Sequence, residues 1–198
     1  MAKAYCNYSD FSDMDCCFNE AVVQLRDCFR LLWEQHVYWT RMVIMGIAFD
    51  LPDLEPTTNR LLRNAPDFAK LFSQFYNNEI AAEFCRLVRD HLVIAAELVN
   101  AAKAGDSQAA DEAERRWYKN ANDIVCFLHE INPYWSVEHM RAMWFKHLAL
   151  TKAEAVAMLN KNYAKGIQIF NQIEQEALLM ADTFSMGICS QFDLAGDF

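Results

Sequence analysis

One helix pattern occurs twice in this chain, far apart. Residues 30–41 read RLLWEQHVYWTR and residues 141–152 read RAMWFKHLALTK, both of the form R-x-x-W-x-x-H-x-x-x-T-[RK]. A helix turns by about 100° per residue, so Trp33, His36 and Thr40 share one narrow stripe and Trp144, His147 and Thr151 another, with the basic residues toward one flank. An aromatic ring, an imidazole and a hydroxyl on one inward stripe, built twice, point to a pseudo-symmetric bundle with polar groups placed inside.

The chain has 198 residues, 54% of them hydrophobic and 13% aromatic, enough for one domain with a substantial core and too apolar for disorder over most of its length. Its formal net charge of −9 argues against a protein that grips a phosphate backbone, so no nucleic-acid partner is expected. The best apolar run, Met42 to Phe49, is far short of a membrane span. The first residues, MAKAYCNYSDFSDMDCC, contain nothing like the apolar core of a secretory signal, and cytoplasmic residence is the expectation. Seven cysteines without a C-x-x-C pair match no zinc ribbon or finger and read as free thiols, with Cys6, Cys16 and Cys17 the one grouping that invites a metal or redox role.

Five glycines and four prolines sit at junctions, the punctuation of an all-helical chain. The reading is a Cys-containing arm over 1–19, a bundle domain over 20–189 and a loose tail over 190–198. A first helix stops at Phe49 before Asp50-Leu-Pro52, and a short helical insertion at 57–75 breaks near Asn64-Ala-Pro66. A long helix ends at Gly105 with Asp106 or Ser107 capping its successor, and the next ends at Asn132-Pro133. Ser136 caps the helix with the second copy of the pattern, Asn160-Lys161-Asn162 forms a turn, and a last helix reaches about Gly187. The fold class is therefore all-α, an up-and-down bundle of about five long helices. Hairpins at 77–131 and 137–187 invite reading as an internal duplication.

Three histidines, His36, His91 and His147, lie in apolar stretches of three different long helices. Bundles build metal and cofactor sites this way, and neutral imidazole suits zinc, iron, copper or nickel. The expected metal is iron, zinc or manganese. Glu154 and Asp123 are the candidate carboxylate ligands, with Asp182 behind them. Glu154 is two turns beyond His147, about 10 Å along the axis, so one ion reaches both only if the side chains lean together. The competing structural reading has each histidine bonding a carbonyl, each threonine bonding back one turn, and each tryptophan acting as a core wedge. E-x-x-H, H-E-x-x-H and the haemerythrin-like H-x-x-x-E are absent, so any metal site is non-standard. Haem is a minor option, with no C-x-x-C-H for attachment. Trp33, Thr40, Asn120, Trp144 and Thr151 are the candidates for lining a cofactor or ligand site.

Several segments resemble a group of small all-helical bacterial, largely Firmicute, proteins of uncharacterised function. These are His36-Val-Tyr-Trp39-Thr40-Arg41, Leu61-Leu62-Arg63-Asn64 with Pro66-Asp67-Phe68, the stretch from His91 to Gly105-Asp106, Ile131-Asn132-Pro133-Tyr134-Trp135, and His147-Leu148 through Glu154-Ala155. Some members of that group carry an acetylglutamate-kinase label, which does not transfer. The amino-acid kinase fold is an α/β sandwich with glycine-rich phosphate loops, and this sequence offers neither. Where the group resembles Asn-Ala-Asp-Glu-Ile, this chain has Asn120-Ala-Asn122-Asp123-Ile124. The resemblance implies a family and no activity.

The leading expectation is a metal-binding helical bundle whose role in storage, sensing or redox chemistry the sequence does not choose. The alternative is a non-catalytic interaction or small-ligand module with structural histidines, in which a homodimer would fit. A third is an enzyme using a histidine and Glu154 as acid and base without metal.

Overall fold

The computed structural model describes residues 20–194, so the Cys6, Cys16 and Cys17 grouping lies outside the described residues. Seven helices follow in order: α1 Glu20–Phe49, α2 Leu54–Leu62, α3 Asn64–Phe72, α4 Asn78–Ala104, α5 Ser107–Ile131, α6 Val137–Leu159 and α7 Tyr163–Gln191. The described residues contain no strand, and the fold is an all-α bundle. None of these helices is long and apolar enough to cross a membrane.

Local chemistry sets the boundaries. Asn77, Asp106, Ser136 and Asn162 each accept a hydrogen bond from a main-chain N–H of the first turn they precede. Of the two residues named as cap for α5, Asp106 takes the role, at 3.0 Å from the Ala109 nitrogen. Gly105 ends α4 with φ 73°, a left-handed conformation that a side chain would disfavour. The last helix continues to Gln191, one turn past the expected end near Gly187. Gly187 is needed for close approach, since a Cβ there would lie 1.9 Å from Nε1 of Trp135. That indole is buried and donates to the Thr183 carbonyl at 3.1 Å, which pins the loop after α5 to α7.

Side-chain contacts give the direction of each helix. Phe29 of α1 and Phe84 of α4 both touch Phe184, and seven residues later His36 and His91 stack on one another. Trp33 and His36 likewise meet Trp144 and His147 of α6. So α1, α4 and α6 run the same way. Phe72 and Phe68 of α3 meet Phe29 and Trp33, and Phe127 and Trp117 of α5 meet Phe84 and His91, in reversed order. Asp182 and Glu174 of α7 meet Arg30 and Tyr38 of α1, again reversed. The chain is therefore three up-and-down units, with α3 as a shortened return leg for α1. Along the axis the core is a phenylalanine-rich end, an imidazole–indole centre, and an aliphatic end around Val43, Ile44, Leu98 and Val99.

Candidate metal centre

Each upward helix brings one histidine to the centre of the bundle. His36, His91 and His147 lie well inside α1, α4 and α6, where neither helix end nor solvent reaches them, and all three are at most 2% exposed. Their ring centroids form a nearly equilateral triangle with sides of 5.4, 6.1 and 6.1 Å. One ligand atom from each lies within 4.8 Å of the others. Zinc–imidazole bonds of about 2.0–2.1 Å in tetrahedral geometry put nitrogens roughly 3.3 Å apart, so a small inward rotation of the rings meets an ion.

The bonds around the rings decide which nitrogen is free. Asn64 donates its amide N–H to the Leu32 carbonyl at 2.9 Å, and its Oδ1 is 3.0 Å from Nδ1 of His36. Asn120 donates to the Leu87 carbonyl at 3.1 Å, and its Oδ1 is 3.1 Å from Nδ1 of His91. A carbonyl only accepts, so each amide turns its nitrogen toward the main chain and its oxygen toward the ring. That oxygen also only accepts, so Nδ1 must carry the hydrogen and Nε2 keeps its lone pair. In both units the carbonyl belongs to the residue four before the histidine. Metal-binding histidines use this same division of labour between their two nitrogens.

Burial keeps the rings neutral. It lowers His36 from 6.5 to about 4, against the opposing effect of the hydrogen bond its Nδ1–H donates to Asn64. Burial and the nearby His36 lower His91 to about 3, and burial with both neighbouring imidazoles lowers His147 well below 6.5. Neutral imidazole is the ligating form.

Indoles wall the triad. Trp33 is 5.2 Å from His36 and 6.0 Å from His147 between centroids, Trp117 is 5.3 Å from His91, and Trp144 is 5.2 Å from His91. The Nε1 atoms of Trp33, Trp117 and Trp144 are all buried without a hydrogen-bond partner, as are Nε2 of His91 and Nδ1 of His147. So many orphaned polar atoms around one point are unusual for a packed core.

The remaining sequence candidates lie around this centre in different ways. Thr40 bonds back to the His36 carbonyl at 2.7 Å, whereas the Thr151 hydroxyl is buried with no partner. Asp123 sits outside the triad, half-exposed and paired with Lys119 at 2.6 Å. Asp182 pairs with Arg30 through two 2.7 Å bonds. Glu154 is 1% exposed and paired with Arg41, two helical turns beyond His147 on α6. Burial raises it to about 7 against the opposing pull of Arg41. The repeated basic positions thus serve as clamps between helices: Arg141 donates to Asn122 at 3.0 Å and Lys152 pairs with Glu114 at 2.6 Å.

A cavity of about 150 Å³ adjoins the centre on the aliphatic side, lined by Thr40, Thr151, Trp117, Leu92 and Ala155 among others. Asn64 escaped the sequence reading because Asn-x-Pro there looked like a helix break. The signal that would have found it is an interval: Asn64 follows His36 by 28 positions and Asn120 follows His91 by 29. Compared with protein-family models, curated proteins and solved structures, the chain matches none.

Proposed function

We propose that this protein is a metal-binding helical bundle in which His36, His91 and His147 hold a single transition-metal ion, each through Nε2. The observation that supports it most is the convergence of three buried imidazoles, with ligand atoms within 4.8 Å, on a point that the chain otherwise leaves unsatisfied. Burial alone does not require three histidines to meet, and an apolar core with three imidazoles side by side is costly unless something uses their lone pairs.

The donor set favours zinc or iron over manganese, since nitrogen ligands suit the first two and oxygen ligands the third. Three protein ligands leave at least one coordination position open, the arrangement of sites that act on a bound water or small molecule. Three neutral imidazoles also leave the ion's charge uncompensated, which favours hydroxide or another small anion in the open position. The buried indole N–H groups of Trp33, Trp117 and Trp144 are donors that such an anion would satisfy. The cavity beside Thr40 and Thr151, lined mostly by apolar side chains, offers an approach for a small molecule. A lone buried site suits sensing or chemistry better than bulk storage.

The test is elemental analysis of untagged, chelator-free protein alongside the His36→Ala/His147→Ala double variant. The expected result is about one metal ion per chain in the parent and none in the variant. No metal in the parent after incubation with zinc or ferrous iron would sink the proposal.

A further inference from the structure

Glu176 of α7 is a buried carboxylate, 2% exposed, at a place the fold has already used twice. Asn64 and Asn120 stand on the return legs of the first two up-and-down units, 28 and 29 positions after the histidine whose Nδ1 they hold. Glu176 stands on the return leg of the third unit, 29 positions after His147. Contacts fix its height in the bundle. Arg30 meets Asp182, and six residues on from Arg30 is His36 while six residues back from Asp182 is Glu176. Tyr38 meets Glu174 at 2.5 Å, which gives the same register. Against α6, the Glu176 carboxylate meets the ammonium of Lys146, the chain neighbour of His147.

In this third unit the imidazole has no amide to set it. Nδ1 of His147 is buried without a partner, whereas Nδ1 of both other histidines is held. Lys146, the partner of Glu176, has a side chain 59% exposed and free to turn into solvent. Glutamate is one methylene longer than asparagine, so a rotamer change separates the Lys146 contact from one with the neighbouring imidazole.

We propose that Glu176 is the third positioning residue of the centre: in the metal-loaded protein its carboxylate accepts the hydrogen bond from Nδ1–H of His147. This rests on the metal-binding reading. The bond would direct Nε2 of His147 at the ion and raise its basicity, as carboxylates behind metal-binding histidines do. It would also bring one negative charge to within a hydrogen bond of one of the three otherwise neutral ligands. Glu176 need not touch the ion.

The experiment compares zinc binding and nitrogen-15 NMR of the full chain in four forms: parent, Glu176→Gln, Glu176→Met and Lys146→Met. Gln keeps an acceptor oxygen, and Met keeps the length without one. The expected result is a loss of zinc affinity of roughly 10- to 100-fold in Glu176→Met with binding still one to one. Glu176→Gln should stay within a few-fold of the parent, and Lys146→Met should match or exceed it. The His147 Nδ1–H resonance should be visible and shielded from exchange in loaded parent and Glu176→Gln, and lost in Glu176→Met. If Lys146→Met weakens binding as much as Glu176→Met does, the carboxylate serves only as an ion-pair partner and the proposal falls. Unchanged affinity in Glu176→Met overturns it too, while leaving the histidine site standing. If the parent binds neither zinc nor ferrous iron, the metal-binding reading fails first and this inference with it.

Discussion

Asn64 and Asn120 each divide one amide between a main-chain carbonyl and an imidazole, and so convert a flat ring with two equivalent-looking nitrogens into a ligand with one free lone pair. Asn120→Leu removes both bonds and leaves Nδ1–H of His91 buried without an acceptor. The expected cost is about 1–3 kcal/mol of stability in urea unfolding, and zinc affinity should fall roughly 10- to 100-fold. Equal affinity in parent and variant would show that the asparagine does not orient the ring. At this scale the sequence was uneven. His36, His147, Trp33 and Trp144 could be read because two copies of one pattern drew attention to a shared stripe. Asn120 was named, but its role could not be assigned, since its partner sits on another helix and helix rotation is not written in spacing along one helix. Asn64 was hidden by the proline two positions on, and Glu176 by lying in a run with Glu174 and Gln175 that looks like a solvated face.

The elements themselves were legible because caps, glycines and prolines act within a few residues. What was not legible is that the segment read as an insertion at 57–75 is the downward leg of the first unit. Nine residues of α3 carry Asn64, Phe68 and Phe72 against α1, so a short helix does positional work usually given to a long one. The cross-helix clamp between Arg41 of α1 and Glu154 of α6 is the other element-level feature. Its carboxyl is almost fully buried, so stripping away the arginine leaves a buried polar group without its donor. Arg41→Met alone should destabilise the fold by about 1–3 kcal/mol near neutral pH, where the carboxyl takes up a proton, whereas Arg41→Met combined with Glu154→Leu should recover most of that loss. Thermal or urea unfolding of the three proteins reads this directly. The double variant should also keep its metal, because the clamp lies outside the triad. Loss of metal in the folded double variant would instead place Glu154 among the groups the ion needs.

Over the whole molecule, three buried neutral histidines make stability depend on pH with a definite sign. In the unfolded chain each takes up a proton near 6.5, whereas in the folded protein His36 resists until about 4 and His91 until about 3, with His147 also held low. Between those limits the unfolded state binds more protons, so stability of the metal-free protein is greatest above pH 6.5 and falls as pH drops toward 4. The slope is about 1.4 kcal/mol per pH unit for each histidine involved. Glu154 acts the other way between 4.5 and about 7, because its folded form holds a proton that the unfolded chain releases. Glu34, also raised by burial and the nearby Glu174, acts with it, and three fully buried histidines against two carboxyls leave a net loss on acidification, measurable by urea unfolding of chelator-treated protein from pH 7.5 to 4.5. A flat or rising profile on acidification would mean the imidazoles are not buried neutral in the folded protein. The convergence of those imidazoles is the property everything else depends on, and zinc K-edge X-ray absorption of the loaded full chain tests it most directly. Three imidazole nitrogens at about 2.0–2.1 Å are predicted. Sulfur at about 2.3 Å, which would move the ion to the cysteines, or a shell without imidazole scattering would contradict it.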